Sequence, residues 1–250
     1  MDYEKEYEEY AQQHMSRGRL LMSKIFKVLV RVFSFGIIAL VLWRVIFSTR
    51  VPGDIKALTV NDAVMQAYEA GELDIYTQDI APVNMDGDTA GYFWACQVLV
   101  IPEASQVQVL IRYNNGTLRH IAQDFGLGED GVPARDEDVL DVTLAVWVDP
   151  DPDNETTTDR ELVRIQPTGE ATADRTAMYN YRRYVFDGVD TDVANLINMS
   201  VDIYYKGSVN YDRAAYSSIV VYEPDQETLA YDLTGRDKRA LRDFGAGKGE

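Results

Sequence analysis

The chain has 250 residues, with 24 basic against 41 acidic side chains and a formal net charge of −17. The first fifty residues hold 8 of the basic and 5 of the acidic groups, so residues 51–250 keep 16 and 36, a net of −20. Such a surface repels nucleic acid and anionic headgroups, which argues against a DNA- or RNA-binding role, while leaving enough chain for one domain with its own core. The single cysteine, Cys96, permits no internal disulfide. That fits a bacterial or archaeal cell surface better than an animal ectodomain, where bridges are usual.

In chain order, residues 1–24 read as a short cytoplasmic tail. Tyr3, Tyr7 and Tyr10 recur there at helical spacing among glutamates, and a frayed polar terminus is a simpler account of them than a partner-facing helix. A transmembrane signal-anchor helix follows at residues 25–48. Its apolar run, residues 28–47, is about 30 Å long as a helix, the thickness of a bilayer core. Only Val32 to Trp43 is free of charge, which is short for a span. Arg31 and Arg44 are about 20 Å apart along the axis, however, and each can snorkel toward its own headgroup layer. Trp43 stands where an interfacial aromatic belongs. The competing reading, an amphipathic helix lying in the interface, uses the face of Lys24, Lys27, Arg31 and Ser34, which ends there.

No small-x-small cleavage pattern follows the run, so the anchor is expected to stay uncleaved. Arg17, Arg19, Lys24, Lys27 and Arg31 on one flank outnumber Arg44, Arg50 and Lys56 on the other. This places the N-terminus in the cytoplasm and the acidic domain outside the cell membrane.

Residues 49–58, with Pro52-Gly53, read as a linker. Thr59 and Asp62 resemble a capping box opening a helix, Val60, Val64, Ala67 and Tyr68 line one face of it, and Gly71 closes it. A first strand is expected near residues 73–80, then a turn-rich segment to Gly91. From Tyr92 the period becomes two. Residues 92–101 form a mostly apolar strand, and Val107, Val109, Ile111 and Tyr113 alternate with Gln106, Gln108 and Arg112. Asn115-Gly116 then predicts a hairpin turn. Leu140 to Val148 and Ile197 to Tyr205 alternate as well, and further strands are expected at 162–166, 179–186 and 217–222. Seven or eight antiparallel strands, each with one buried face, close most naturally as a β-sandwich, Ig-like or jelly-roll-like, over residues 59–235. A partly open barrel is the alternative. A short helix near 236–244 and a flexible tail complete residues 236–250.

Signals for chemistry are sparse. Asp149-Pro150-Asp151-Pro152-Asp153-Asn154 alternates hard oxygens as calcium loops do, yet Asn154 takes the glycine position and Arg160 that of the bidentate glutamate. A solvated acidic hairpin loop is the plainer reading, and Asp86-Gly87-Asp88 is a turn. His120 and Cys96 would have to supply any zinc site, Cys–His pair or Ser-His-Asp arrangement, and no spacing supports one. Cys96 lies inside an apolar strand, as an inert thiol does. The sequence therefore assigns no catalytic, cofactor-binding or metal-ligating residue and implies no cofactor. Asn115, Asn154 and Asn198 open glycosylation sequons that read as incidental.

Sixteen tyrosines are the remaining candidates, with Tyr179, Tyr181, Tyr184, Tyr204, Tyr205, Tyr211, Tyr216 and Tyr222 crowded into the last third. Aromatic platforms on sandwich faces bind sugars and extended peptides, and Tyr204 falls on the otherwise polar face of its strand. The expectation is a single-pass membrane protein held in the lipid bilayer through residues 28–47. Its extracytoplasmic sandwich is expected to act as a non-enzymatic interaction module for a cell-envelope protein or glycan. The alternatives are a carbohydrate-active domain, by calcium-assisted sugar binding or paired-carboxylate hydrolysis, and a scaffold subunit of an envelope complex.

Overall fold

A computed structural model describes residues 17–49, 51–78, 92–150, 160–191, 196–207, 215–223 and 226–247. The chain divides into two units, Met1–Arg50 and Val51–Glu250. The first is described over one helix of 33 residues, α1 (Arg17–Thr49), which begins inside the expected tail. Within it Leu21–Arg44 is long and apolar enough to cross a membrane, and every side chain of that stretch is exposed. Phe33 is 72% and Phe35 71% exposed, so this is no core helix of the chain.

The second unit is a mainly-β sandwich with helices on its surface. One antiparallel sheet contains β1 (Tyr76–Gln78), β2 (Phe93–Ile101), β3 (Gln106–Asn114), β6 (Thr172–Arg175), β7 (Tyr179–Asp187) and β10 (Thr228–Ala230), in the order β10-β1-β2-β3-β7-β6. The other contains β4 (Leu140–Val148), β5 (Glu161–Ile165), β8 (Leu196–Tyr205) and β9 (Ser217–Tyr222), in the order β5-β4-β8-β9. The alternating apolar positions face one another across the sandwich. Val107, Val109 and Ile111 of β3, with Tyr184 and Phe186 of β7, meet Val142, Leu144 and Val146 of β4 and Met199, Val201 and Ile203 of β8. Each aliphatic side chain removed from water there stabilises the fold by roughly 1.5–3 kcal/mol. The ten described strands exceed the expected seven or eight because β6 and β10 are short and wholly exposed, with no alternation to reveal them. Where a barrel would close, the buried Gln78 side chain joins the sheets. It donates to Glu223 O at 2.8 Å and accepts from Glu223 N at 2.9 Å, as a strand backbone would.

Helix α2 (Asp62–Ala70) is capped by Asn61, which accepts Val64 N–H at 3.0 Å, and not by Thr59. Thr59 N–H instead donates to Gln108 Oε1 at 3.0 Å. Gly71 ends the helix at φ 74°, the left-handed region that glycine enters at no steric cost. The hairpin expected at Asn115-Gly116 is replaced by a helix, α3 (Asn115–Asp124). Asn114 ends β3 in extended conformation and its side chain accepts Thr117 N–H at 3.1 Å. Leu118 and Ile121 then turn into the core, and that burial favours the helix over a turn.

The central strands β2, β3 and β7 of the six-stranded sheet are covered on both faces, against the expectation of one solvated face. Leu58, Val64 and Met65, together with Leu241 of α4 (Gly235–Gly247), pack on Ile75, Leu99 and Ile101. Ile55 packs on Leu110 and Tyr181. The segment expected as a linker is thus part of the fold, because Ile55 and Leu58 bury apolar surface on the sheet. It also covers a polar layer. Gln108 Nε2 donates to Thr59 O at 2.7 Å and Gln106 Oε1 at 2.6 Å, and Gln106 Nε2 to Asp187 Oδ1 at 2.6 Å. Arg183 donates to Gln97 Oε1 at 2.8 Å and Ile55 O at 3.0 Å, and burial pushes its pKa down to about 10.

Candidate functional site

The residues singled out in the sequence fall in separate places. Cys96 is the extra residue of a bulge in β2, half-buried beside Ile55, Leu110 and Tyr181. Burial pushes its thiol pKa up, against the opposing charges of Arg112 and Lys56. His120 sits exposed on α3 with its ring stacked on Tyr92, centroids 4.5 Å apart. The two do not form a dyad. Among the described residues no group of three or more His, Cys, Asp and Glu is placed to hold a metal ion. Tyr3, Tyr7, Tyr10, Asp86, Asp88, the loop from Asp151 to Asn154 and Tyr211 lie outside the described residues. Of the sequons, Asn115 opens α3, while Asn198 lies in β8 followed by buried Met199 and Ser200.

Burial sorts the tyrosines. Tyr181, Tyr184 and Tyr204 are 3% exposed or less, so none offers a platform, and the polar-face position of Tyr204 does not reach solvent. Tyr179 instead lies under the Arg112 guanidinium at 4.5 Å, with Trp94 at 5.1 Å from the same cation. Tyr205 and Tyr216 do join an accessible group.

That group is assembled around α3. With Leu118 and Ile121 turned inward, Arg119, His120, Gln123 and Asp124 face solvent. Phe125, the residue after the helix, packs on Tyr205 at 4.6 Å and Tyr216 at 5.7 Å. Tyr216 also lies 6.4 Å from Tyr92, and its hydroxyl donates to Asp124 Oδ2 at 2.6 Å. Burial first, and this bond to Asp124 second, push its pKa well above the ordinary phenol value. Tyr216 is therefore held as a neutral donor, which orients its ring.

Beside the rings, Arg119, Ala122, Gln123, Gly126, Gly128 and Val132 line a cavity of about 660 Å³. Phe125, Leu127 and Val132 are each more than a third exposed at this surface. An open cavity with one guanidinium, one amide and otherwise apolar walls is suited to reversible binding by apolar contact and a few directed hydrogen bonds, and none of the five rings lines it. Sequence reasoning named Tyr205 and Tyr216 but missed Tyr92 and Phe125. No local signal links these four, which come from segments before β2, after α3, at the end of β8 and before β9.

Comparison with known proteins gives no match: no family model, no curated protein and no solved structure resembles this chain.

Proposed function

We propose that this chain is a single-pass membrane protein whose acidic β-sandwich acts as a non-enzymatic binding module outside the cytoplasm. The observation that carries the reading is the exposure of every side chain of Leu21–Arg44, an apolar surface that needs a lipid environment. The excess of basic residues N-terminal to the helix supports a cytoplasmic N-terminus. Recognition is assigned to the surface around α3, its cavity and the neighbouring rings, with an envelope protein or glycan as its partner.

Two measurements on cells making the full-length protein test this. It should stay with membranes in alkaline carbonate, and external protease should digest the sandwich on intact cells. Release by carbonate would remove the anchor from the reading. Digestion only after lysis would reverse its orientation.

One observation favours a carbohydrate ligand over a protein: five rings gather around α3, of which His120 and Phe125 are exposed while the half-buried Tyr92, Tyr205 and Tyr216 pack against them. Sugar rings stack on such faces. Titration with neutral oligosaccharides, followed by calorimetry on wild type and Phe125→Ala, separates the two. Binding lost in the variant marks a glycan partner.

A further inference from the structure

A second cavity, away from those rings, has an unusual inventory. Asn180 and Arg182 of β7 share the strand face that carries Tyr184 and Phe186 into the core, yet what reaches them is a loop. Arg182 Nη2 donates to Asp136 O at 3.1 Å and Glu137 O at 3.0 Å. Arg135 of the same loop donates through Nε to Asn180 Oδ1 at 3.1 Å and through Nη2 to Thr176 O at 3.0 Å. Between loop, β6 and β7 lies a space of about 300 Å³ lined by Arg135, Arg175, Asn180 and Arg182, and also by Asp136 and Asp174.

Three properties make this a built site. First, three guanidiniums converge in a domain of net charge −20, and none of them makes an ion pair with a carboxylate among the described residues. Asp138, which acts on Arg182 electrostatically, is itself paired with Lys206 at 3.4 Å. Asp174 turns its Oδ1 to the backbone N–H of Arg175 at 2.7 Å.

Second, the buried side chains at the site are donors held in place by their other bonds. Arg182 is 6% exposed and Asn180 2%. Because Asn180 Oδ1 already accepts from Arg135, the amide orientation is fixed and its Nδ2 is the group left over. Third, that Nδ2 is buried and has no hydrogen-bond partner among the described residues. An orphaned buried donor costs roughly 1–3 kcal/mol, which an acceptor in the cavity would recover once a small shift of the Asn180 side chain uncovers the Nδ2.

We propose that this cavity binds a small oxyanionic ligand, a carboxylate or phosphate whose oxygens accept from the Asn180 amide and from Arg135 and Arg182. Exposed Arg175 adds attraction from the solvent side. The volume suits a molecule about the size of a monosaccharide bearing one such group. The inference is independent of the helix and of the cavity beside α3.

Full-length protein in a maltoside detergent, titrated with inorganic phosphate or with acetate against sodium chloride of matched ionic strength, tests it. A saturable rise in melting temperature is expected from one or both probes. Phosphate alone would identify a phosphoryl ligand and acetate alone a carboxylate. Asn180→Asp places a carboxylate among the guanidiniums, so it should raise the melting temperature without added anion and abolish the response. Arg175→Gln should weaken half-saturation severalfold with the unliganded melting temperature unchanged. No response beyond that to chloride would overturn the proposal. So would half-saturation unaltered in Arg175→Gln, which decides the matter even if Asn180→Asp does not fold.

Discussion

Asp237 Oδ1 accepts the backbone N–H of Leu58 at 2.7 Å, across 179 residues of sequence. Its other oxygen takes Thr234 N–H at 2.8 Å, Thr234 Oγ1 at 2.6 Å and Tyr231 OH at 3.0 Å. One wholly buried carboxylate thus caps α4 and fastens the segment after α1 to it. Burial opposes ionisation, but the bonds from Thr234, Leu58 and Tyr231 outweigh it and hold the carboxyl below its ordinary range. A depressed carboxylate pKa stabilises fully above the unfolded value, and this is lost as pH falls through the folded one. Asp237→Asn should therefore cost about 2–3 kcal/mol in urea unfolding at neutral pH. The gap from wild type should narrow as pH falls below the ordinary aspartate range. An equal gap at both pH values would show that the charge contributes nothing.

Gln78 makes a similar long-range tie between the two sheets. Gln78→Leu keeps the volume but strands the N–H and C=O of Glu223, at about 2 kcal/mol. Amide exchange at Glu223 should accelerate far more than at Ile219 in the centre of β9. Uniform acceleration would mean that the side chain supports global stability and not this junction.

The cap of α3 governs the ring cluster. Asn114→Ala removes the acceptor of Thr117 N–H and should cost about 1 kcal/mol. Because Phe125 follows the helix, its contacts with Tyr205 and Tyr216 should loosen too, visible as altered ring-proton shifts at both tyrosines. Shifts unchanged from wild type would separate the helix start from the cavity.

Cys96 is shielded by its neighbours, and burial disfavours its thiolate. Alkylation of the native protein by iodoacetamide should accelerate at higher pH than alkylation of the urea-unfolded chain. A native midpoint at or below the unfolded one would mean that Arg112 and Lys56 dominate.

An aspartate at the centre of a spanning helix costs roughly 3 kcal/mol, whereas one on the wet face of an interfacial helix costs little. Ile38→Asp should consequently shift part of the protein into the carbonate-soluble fraction. Full retention in membranes would count against a span centred there.

The sandwich was legible because alternation survives in Val107 to Tyr113, Leu140 to Val148 and Met199 to Ile203, whose buried face is apolar. What covers the six-stranded sheet was not. Gln106 and Gln108 read as solvent-facing, and only the bonds to Asp187 and Thr59 and between the two amides make their burial tolerable. Asn115-Gly116 misled because hairpin propensity is local, while the burial of Leu118 and Ile121 that selects a helix is not. The arginine-lined cavity was invisible for the same reason. It needs β7 to pair with β6, and the loop carrying Arg135 to cross it, before four ordinary polar residues become neighbours.

The Asp54–Arg236 and Leu58–Asp237 contacts gather the beginning and end of the sandwich unit on one face of one sheet. Tension applied at Val51 would load Leu58, Thr59 and the final helix before any strand pair. Those outer pieces would peel off while the inter-sheet interior stayed shut.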